Sequence, residues 1–152
     1  MQSEFYPFQS DDSRLYFEFL SVSPKKTIEK AVVFTLIDSN TNLFNLALVD
    51  ILSDGSHSDK TVSNNGDFEK IMATVAECVG VFFRVHPAAR VHVQGSTPSR
   101  NRLYRIVFAR ELSKIKKNYE LHGLIGSLTE PFEVNKDYNV YLLKLKKDES
   151  TH

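Results

Sequence analysis

The sequence predicts an α+β domain: an antiparallel sheet of about five to six strands with two helices packed on one face, in the order strands, helix, strand, helix, strand. Three observations predict it. The first 65 residues carry β-branched and aromatic runs broken by turn residues, and residues 68–85 switch to a helical apolar period. A short alternating run at 90–94 then leads into a second helical stretch.

Leu15 to Val22 (LYFEFLSV) and Thr27 to Asp38 (TIEKAVVFTLID) are rich in aromatic and β-branched residues and read as strands, with Pro24, Lys25 and Lys26 in the turn between them. Leu43 to Leu52 (LFNLALVDIL) is a third strand. It ends at Ser53-Asp54-Gly55-Ser56, where Asp-Gly marks a hairpin because glycine accepts positive φ. A short fourth strand is expected around Asp59 to Ser63, completing a meander. Asn64-Asn65-Gly66-Asp67 is a loop whose last residue suits an N-cap. Ile71, Val75, Val79 and Phe82, with Phe68 and Met72 beside them, then recur at helical spacing until His86-Pro87 stops the run. Arg90 to Gln94 (RVHVQ) is a short strand, and the turn Gly95-Ser96-Thr97-Pro98-Ser99 feeds a helix predicted from Ser99 to about Tyr119 and closed by Gly123. Past the loop containing Pro131, Tyr138 to Lys146 (YNVYLLKLK) reads as the last strand. Residues 1–147 are expected to form a single domain, and 148–152 a frayed charged tail.

The chain has 152 residues, with 19 Lys+Arg against 19 Asp+Glu and a formal net charge of zero. That balance argues against a strongly basic nucleic-acid protein but leaves room for a local basic face. A single cysteine, Cys78, excludes a disulfide-stapled class and every multi-cysteine zinc site. The start (MQSEFYPFQSDD) has neither a basic n-region nor an apolar h-region, and no apolar run is long enough for a membrane span. A cytoplasmic protein without cofactor or membrane contact is the expectation.

Most of the chemistry lies between Gly95 and Arg105 (GSTPSRNRLYR). A strand entering Gly95, Ser96 and Thr97 and then a helix with Pro98 in its first turn brings backbone N–H groups, hydroxyls and a positive helix end together, a setting for an anion. Ser99, Arg100, Arg102 and Arg105 complete the candidate site. A helical wheel places Arg105, Arg110, Lys116 and Lys117 beside Arg102 as a basic strip, opposite Tyr104, Phe108, Leu112, Ile115 and Tyr119. The same residues also serve as ordinary capping residues on a solvated helix. The segment lacks the P-loop spacing and the dinucleotide fingerprint, so nucleotide hydrolysis has no support. Asn64, Asn65 and Gly66 form a second candidate loop, in which a glycine brings the backbone close to a ligand and Asp67 repels an anion. If both helices share a side of the sheet, the two loops converge and Asn65 joins a common pocket.

The five histidines show no i, i+4 pair, so a zincin-type metal site is not indicated. His92 leads toward Gly95 and, with Tyr104 and the arginines, is a weak candidate for metal-free acid–base cleavage of RNA. Its alternative role is an outward side chain of an alternating strand. Tyr6, Phe8, Tyr16, Phe17, Phe19 and Phe34 are either base-stacking platforms or core. Cys78 belongs to the apolar helix face and reads as packed.

Ser63-Asn64-Asn65-Gly66-Asp67, the helix containing Ala73-Thr74-Val75, the block Gly95-Ser96-Thr97-Pro98-Ser99-Arg100-Asn101-Arg102-Leu103-Tyr104-Arg105, and Glu130-Pro131-Phe132 resemble a family of small uncharacterised proteins frequent in Bacteroidota. The resemblance runs over most of the chain and implies a bacterial domain of unknown function, with no reaction attached. Where that family's block commonly reads Arg-Thr-Arg, this chain has Arg100-Asn101-Arg102, which keeps the charge and loses a hydroxyl.

Three functions follow as expectations. The first is a non-catalytic binding module holding a phosphate-bearing ligand, RNA or single-stranded DNA, at the basic helix start. A metal-independent ribonuclease of toxin type is the second, and a protein-interaction partner in a two-gene, toxin–antitoxin-like system the third.

Overall fold

The structure is a computed structural model, and it describes residues 4–58 and 66–147. Nine strands and three helices occur among them: β1 (Phe8–Ser10), β2 (Tyr16–Val22), β3 (Thr27–Asp38), β4 (Leu43–Ile51), β5 (His57–Ser58), α1 (Phe68–Val85), β6 (Arg90–Val93), α2 (Pro98–Arg110), α3 (Leu112–Asn118), β7 (Tyr119–Ile125), β8 (Leu128–Pro131) and β9 (Val140–Leu145). The strands hydrogen-bond in the order β1-β2-β3-β4-β6-β9-β7-β8, with β5 on β4, and the sheet is mostly antiparallel.

The α+β class holds, but the expected five to six strands with two helices do not. Two of the additional strands, β7 and β8, arise where the sequence reads as a helix end and a loop. Tyr119, the residue that closes α3, is already extended (φ −131°, ψ 155°), so strand follows helix with no intervening turn. Gly123 does not close a helix. It sits in β7, where a Cβ would collide with the Tyr138 ring, so the strand needs a glycine and loses one side chain from its alternating pattern. The β7–β8 hairpin turns at Gly126 (φ +61°) and Ser127, pairing Ile125 with Leu128. A third helix appears because the predicted 99–119 helix breaks at Glu111 (φ −97°, ψ 10°). β1, at three residues, is too short to show a period. The strand expected at 59–63, Asn64, Asn65 and the tail at 148–152 lie outside the described residues.

The chain divides into two compact units, one comprising Met1–Thr35 with Leu46–Pro87, the other Leu36–Asn45 with Ala88–His152. In the first, β2 alternates so that Phe17, Phe19 and Ser21 are buried. They share their face with Val32, Lys30 and Ile28, their register partners on β3. α1 covers this face. Its period brings Ile71, Thr74, Cys78, Val79, Phe82 and Phe83 inward, and Phe82 stacks on Phe34 at 4.0 Å between ring centroids. Phe17, Phe19, Phe34 and Tyr6 are thus core residues. Phe8 and Tyr16 are half-buried.

Polar groups are also drawn into this unit. Asp67 stands at the N-cap position but makes no capping bond; its Oδ2 instead accepts from the Tyr6 and Ser21 hydroxyls, each at 2.5 Å. Thr74 Oγ1 donates to the Lys70 carbonyl and accepts from the Tyr6 N–H, tying the N-terminal segment to α1. Lys30 and Asp50, with side chains only 4% and 8% exposed, form an ion pair at 2.5 Å. Burial, followed by the nearby Glu77 carboxylate, pushes the Cys78 thiol up to about 12. The thiolate is the reactive species, so native protein at pH 8 is expected to resist a thiol reagent that labels the guanidinium-unfolded chain at once. Rapid labelling of the native state would contradict the packing of Cys78.

In the second unit β6, β9, β7 and β8 pair in that order. Val91, Val93, Leu121, Tyr141 and Leu143 are buried on one face. On it Phe108 of α2 lies 5.0 Å from Tyr141, with Phe132 and Tyr138 completing the aromatic group. No helix among the described residues is long and apolar enough to cross a membrane.

Candidate functional site

β6 runs into Gly95, and the chain folds back so tightly that a Cβ there would overlap the Asn101 backbone nitrogen. Asn101 fixes this approach: its Oδ1 accepts from the Gly95 N–H at 3.1 Å, and its Nδ2 donates to the Tyr138 carbonyl at 2.8 Å. One amide therefore ties the end of β6 and the segment before β9 to the first turn of α2. Thr97 is the N-cap, with Oγ1 accepting from the Arg100 N–H at 3.2 Å, and Pro98 follows inside the first turn. The Asn101 N–H bonds the Thr97 carbonyl. Pro98 carries no N–H, so Ser99 supplies the first-turn amide that has no partner among the described residues.

The helix start is thus largely self-capped, and side chains carry the chemistry. Ser96, Thr97 and Ser99 are exposed, Arg100 is half-buried and Arg102 is exposed. Among the described residues Arg102 makes no ion pair or side-chain hydrogen bond. Arg105 turns away to Asp137 at 2.7 Å. The break at Glu111 puts Lys116 and Lys117 on α3, so the strip expected from one continuous wheel ends at Arg110, itself 3.6 Å from the Glu111 carboxylate. α2 buries none of its residues, leaving Leu103 and Ile106 more than 40% exposed beside Arg102.

The loop before β9 supports the site from below. Glu130 accepts from Lys136 Nζ at 2.9 Å and from the Tyr138 hydroxyl at 2.8 Å, while that hydroxyl accepts from the Glu133 N–H. Lys136 and then Tyr138 hold the Glu130 carboxyl below the usual carboxylate range. Sequence reading missed Asn101, Asp137 and Tyr138 as the residues that set α2 in place.

Strand alternation separates the weak catalytic candidates. Val91 and Val93 point to the face that α2 covers, so His92 points to the other, away from the helix that carries Arg100, Arg102 and Tyr104. His92 Nδ1 lies 3.0 Å from Asn45 Oδ1. Partial burial lowers its pKa below the ordinary histidine value. In the second loop, Gly66 adopts φ +75°, a left-handed conformation that favours glycine, and is exposed. Among the described residues no group of three or more His, Cys, Asp or Glu side chains is placed to hold a metal ion.

These features define an α+β protein with a self-capped, arginine-bearing helix start. The chain belongs to DUF6934, a family of unknown function whose model matches residues 2–146. No curated protein and no solved structure matches it.

Proposed function

We propose that the protein is a binding module for a phosphate-bearing ligand, RNA or single-stranded DNA, held at the start of α2. The observation that carries this reading is Arg102: an exposed guanidinium with no partner among the described residues, at the positive end of a 13-residue helix beside three exposed hydroxyls. Ser96, Thr97 and Ser99 are suited to donate to phosphate oxygens, with Arg102 and Arg100 supplying charge. Gly95 lets the turn close. Arg105, paired with Asp137, holds the helix rather than the ligand. In this reading the helix start binds without catalysing. The setting we infer is a bacterial cytoplasm, where reducing conditions keep Cys78 a thiol.

Fluorescence anisotropy with labelled single-stranded RNA and DNA tests the reading. Binding is expected to weaken as salt rises and to be abolished in Arg100→Glu/Arg102→Glu. Absence of binding at low salt would retire it. A second reading, a protein partner of the two-gene type, is favoured by one observation: Leu103 and Ile106 lie exposed next to Arg102, a mixed apolar and basic surface suited to an acidic amphipathic segment. A stable complex that excludes nucleic acid and is lost in Leu103→Ser/Ile106→Ser would select it.

A further inference from the structure

The face of the second unit opposite α2 carries a polar array that neither the helix start nor the core uses. Register fixes its layout. His92 of β6 and His122 of β7 both pair with Leu142 of β9, one from each side. Arg90 and Glu120 flank Lys144 in the same way, two residues along. All six side chains are half-buried and alternate with the buried Val91, Leu121, Tyr141 and Leu143. Neighbouring strands lie about 4.8 Å apart, so the backbones of the two histidines stand roughly 10 Å apart, with Leu142 between them on the same face.

The two rings differ. An amide oxygen only accepts, so the Asn45 contact fixes the His92 proton on Nδ1 and leaves the Nε2 lone pair available. Burial lowers that ring's pKa, which favours the neutral form. His122 has no side-chain partner among the described residues, and neither does the Arg90 guanidinium. Lys144 lies 3.8 Å from Glu120. The groups facing His92 are Asn45 of β4, Arg90 on its own strand, and Leu142 and Lys144 of β9. Those facing His122 are Glu120 on its own strand, Leu142 and Lys144 of β9, and Pro131 of β8.

A base and an acid two strand spacings apart on one face, with two cations alongside, match an in-line phosphodiester displacement. There one group takes a proton on one side of phosphorus and the other gives a proton on the opposite side. We infer that this face cleaves single-stranded RNA without a metal, with His92 as general base and His122 as general acid. His92 Nε2 removes the ribose 2′-hydroxyl proton as the 2′-oxygen forms a bond to phosphorus. The phosphorus–O5′ bond breaks, and His122 gives a proton to the departing 5′-oxygen. The products are a 2′,3′-cyclic phosphate and a 5′-hydroxyl; nothing is oxidised or reduced, and solvent returns both histidines to their starting states. Arg90 and Lys144 stabilise the charge on the non-bridging oxygens. The inference does not rest on Arg102, which lies on α2 over the opposite face.

The test is a mixed-sequence single-stranded RNA oligonucleotide incubated with purified full-length chain in EDTA, beside the same oligonucleotide with 2′-deoxyribose throughout. Cleavage of the RNA alone, leaving cyclic phosphate ends, is expected. His92→Gln and His122→Ala are each expected to lower the rate about 100-fold or more. Both are expected to keep the wild-type circular dichroism; His122 bonds no side chain among the described residues, and His92 gives up one bond, to Asn45, from a half-buried position. Intact RNA with folded wild-type protein, or equal rates in wild type and both histidine variants purified alongside it, would overturn the inference. RNA that is bound yet left intact would do so while leaving the α2 reading in place.

Discussion

Lys30→Met is expected to destabilise the protein by about 3–5 kcal/mol, measured by urea denaturation, while Lys30→Met/Asp50→Leu returns close to wild-type stability or exceeds it. Lys30 stands in β3 opposite the buried Phe19, on the face that α1 covers, and its ammonium meets Asp50 at 2.5 Å with both side chains almost fully enclosed. Removing the cation alone strands the Asp50 carboxylate in an apolar setting. Replacing both partners by apolar residues of similar volume removes that penalty, because attraction within a buried pair only roughly offsets the desolvation of two charges. Equal losses in the single and double variants would show that the pair is more exposed, or better compensated by its neighbours, than the structure indicates.

Gly95→Ala is expected to cost about 3 kcal/mol or more, the upper end of the overpacking range. The added Cβ would overlap the Asn101 backbone nitrogen and lie 2.7 Å from the Arg100 carbonyl carbon, so relief requires moving the first turn of α2 rather than rotating a side chain. Displacing that turn also disturbs the Asn101 bonds to Gly95 and to the Tyr138 carbonyl. Gly80→Ala is the control: it lies inside α1 with nothing within 4 Å of its added Cβ, and is expected to stabilise by up to about 1 kcal/mol. A mild cost at Gly95, comparable in size to the Gly80 effect, would mean that the turn is not held as described.

Elements whose side-chain period is unbroken were legible in the sequence. α1 shows its apolar stripe from Ile71 to Phe82 and stops at His86-Pro87, as expected. β7 was hidden because Gly123 removes one side chain from its alternation and Tyr119 turns from helix to strand without a loop residue. The buried Lys30–Asp50 pair was hidden for a related reason. A charged residue in a strand reads as outward-facing, and only pairing with a distant strand reveals a partner inside.

The candidate site was partly legible. Gly95, Thr97, Pro98 and the arginines stand at a helix start as their residue types require. Asn101 looked like a neutral exchange within a basic block, yet its side chain joins three segments of the chain. His92 was visible in the alternation of RVHV. Its row partner His122 was not, because residues 119–123 read as the end of a helix, and only the shared register with Leu142 sets the two side by side.

The salt dependence of RNA affinity, compared between wild type and Arg102→Glu, decides whether the start of α2 holds the ligand. For the wild type log K is expected to fall steeply with log salt, and the variant to bind more weakly with a shallower slope, having lost at least one phosphate contact. Identical affinity and slope in the two proteins would contradict that reading, because the helix start would then have no part in holding the ligand.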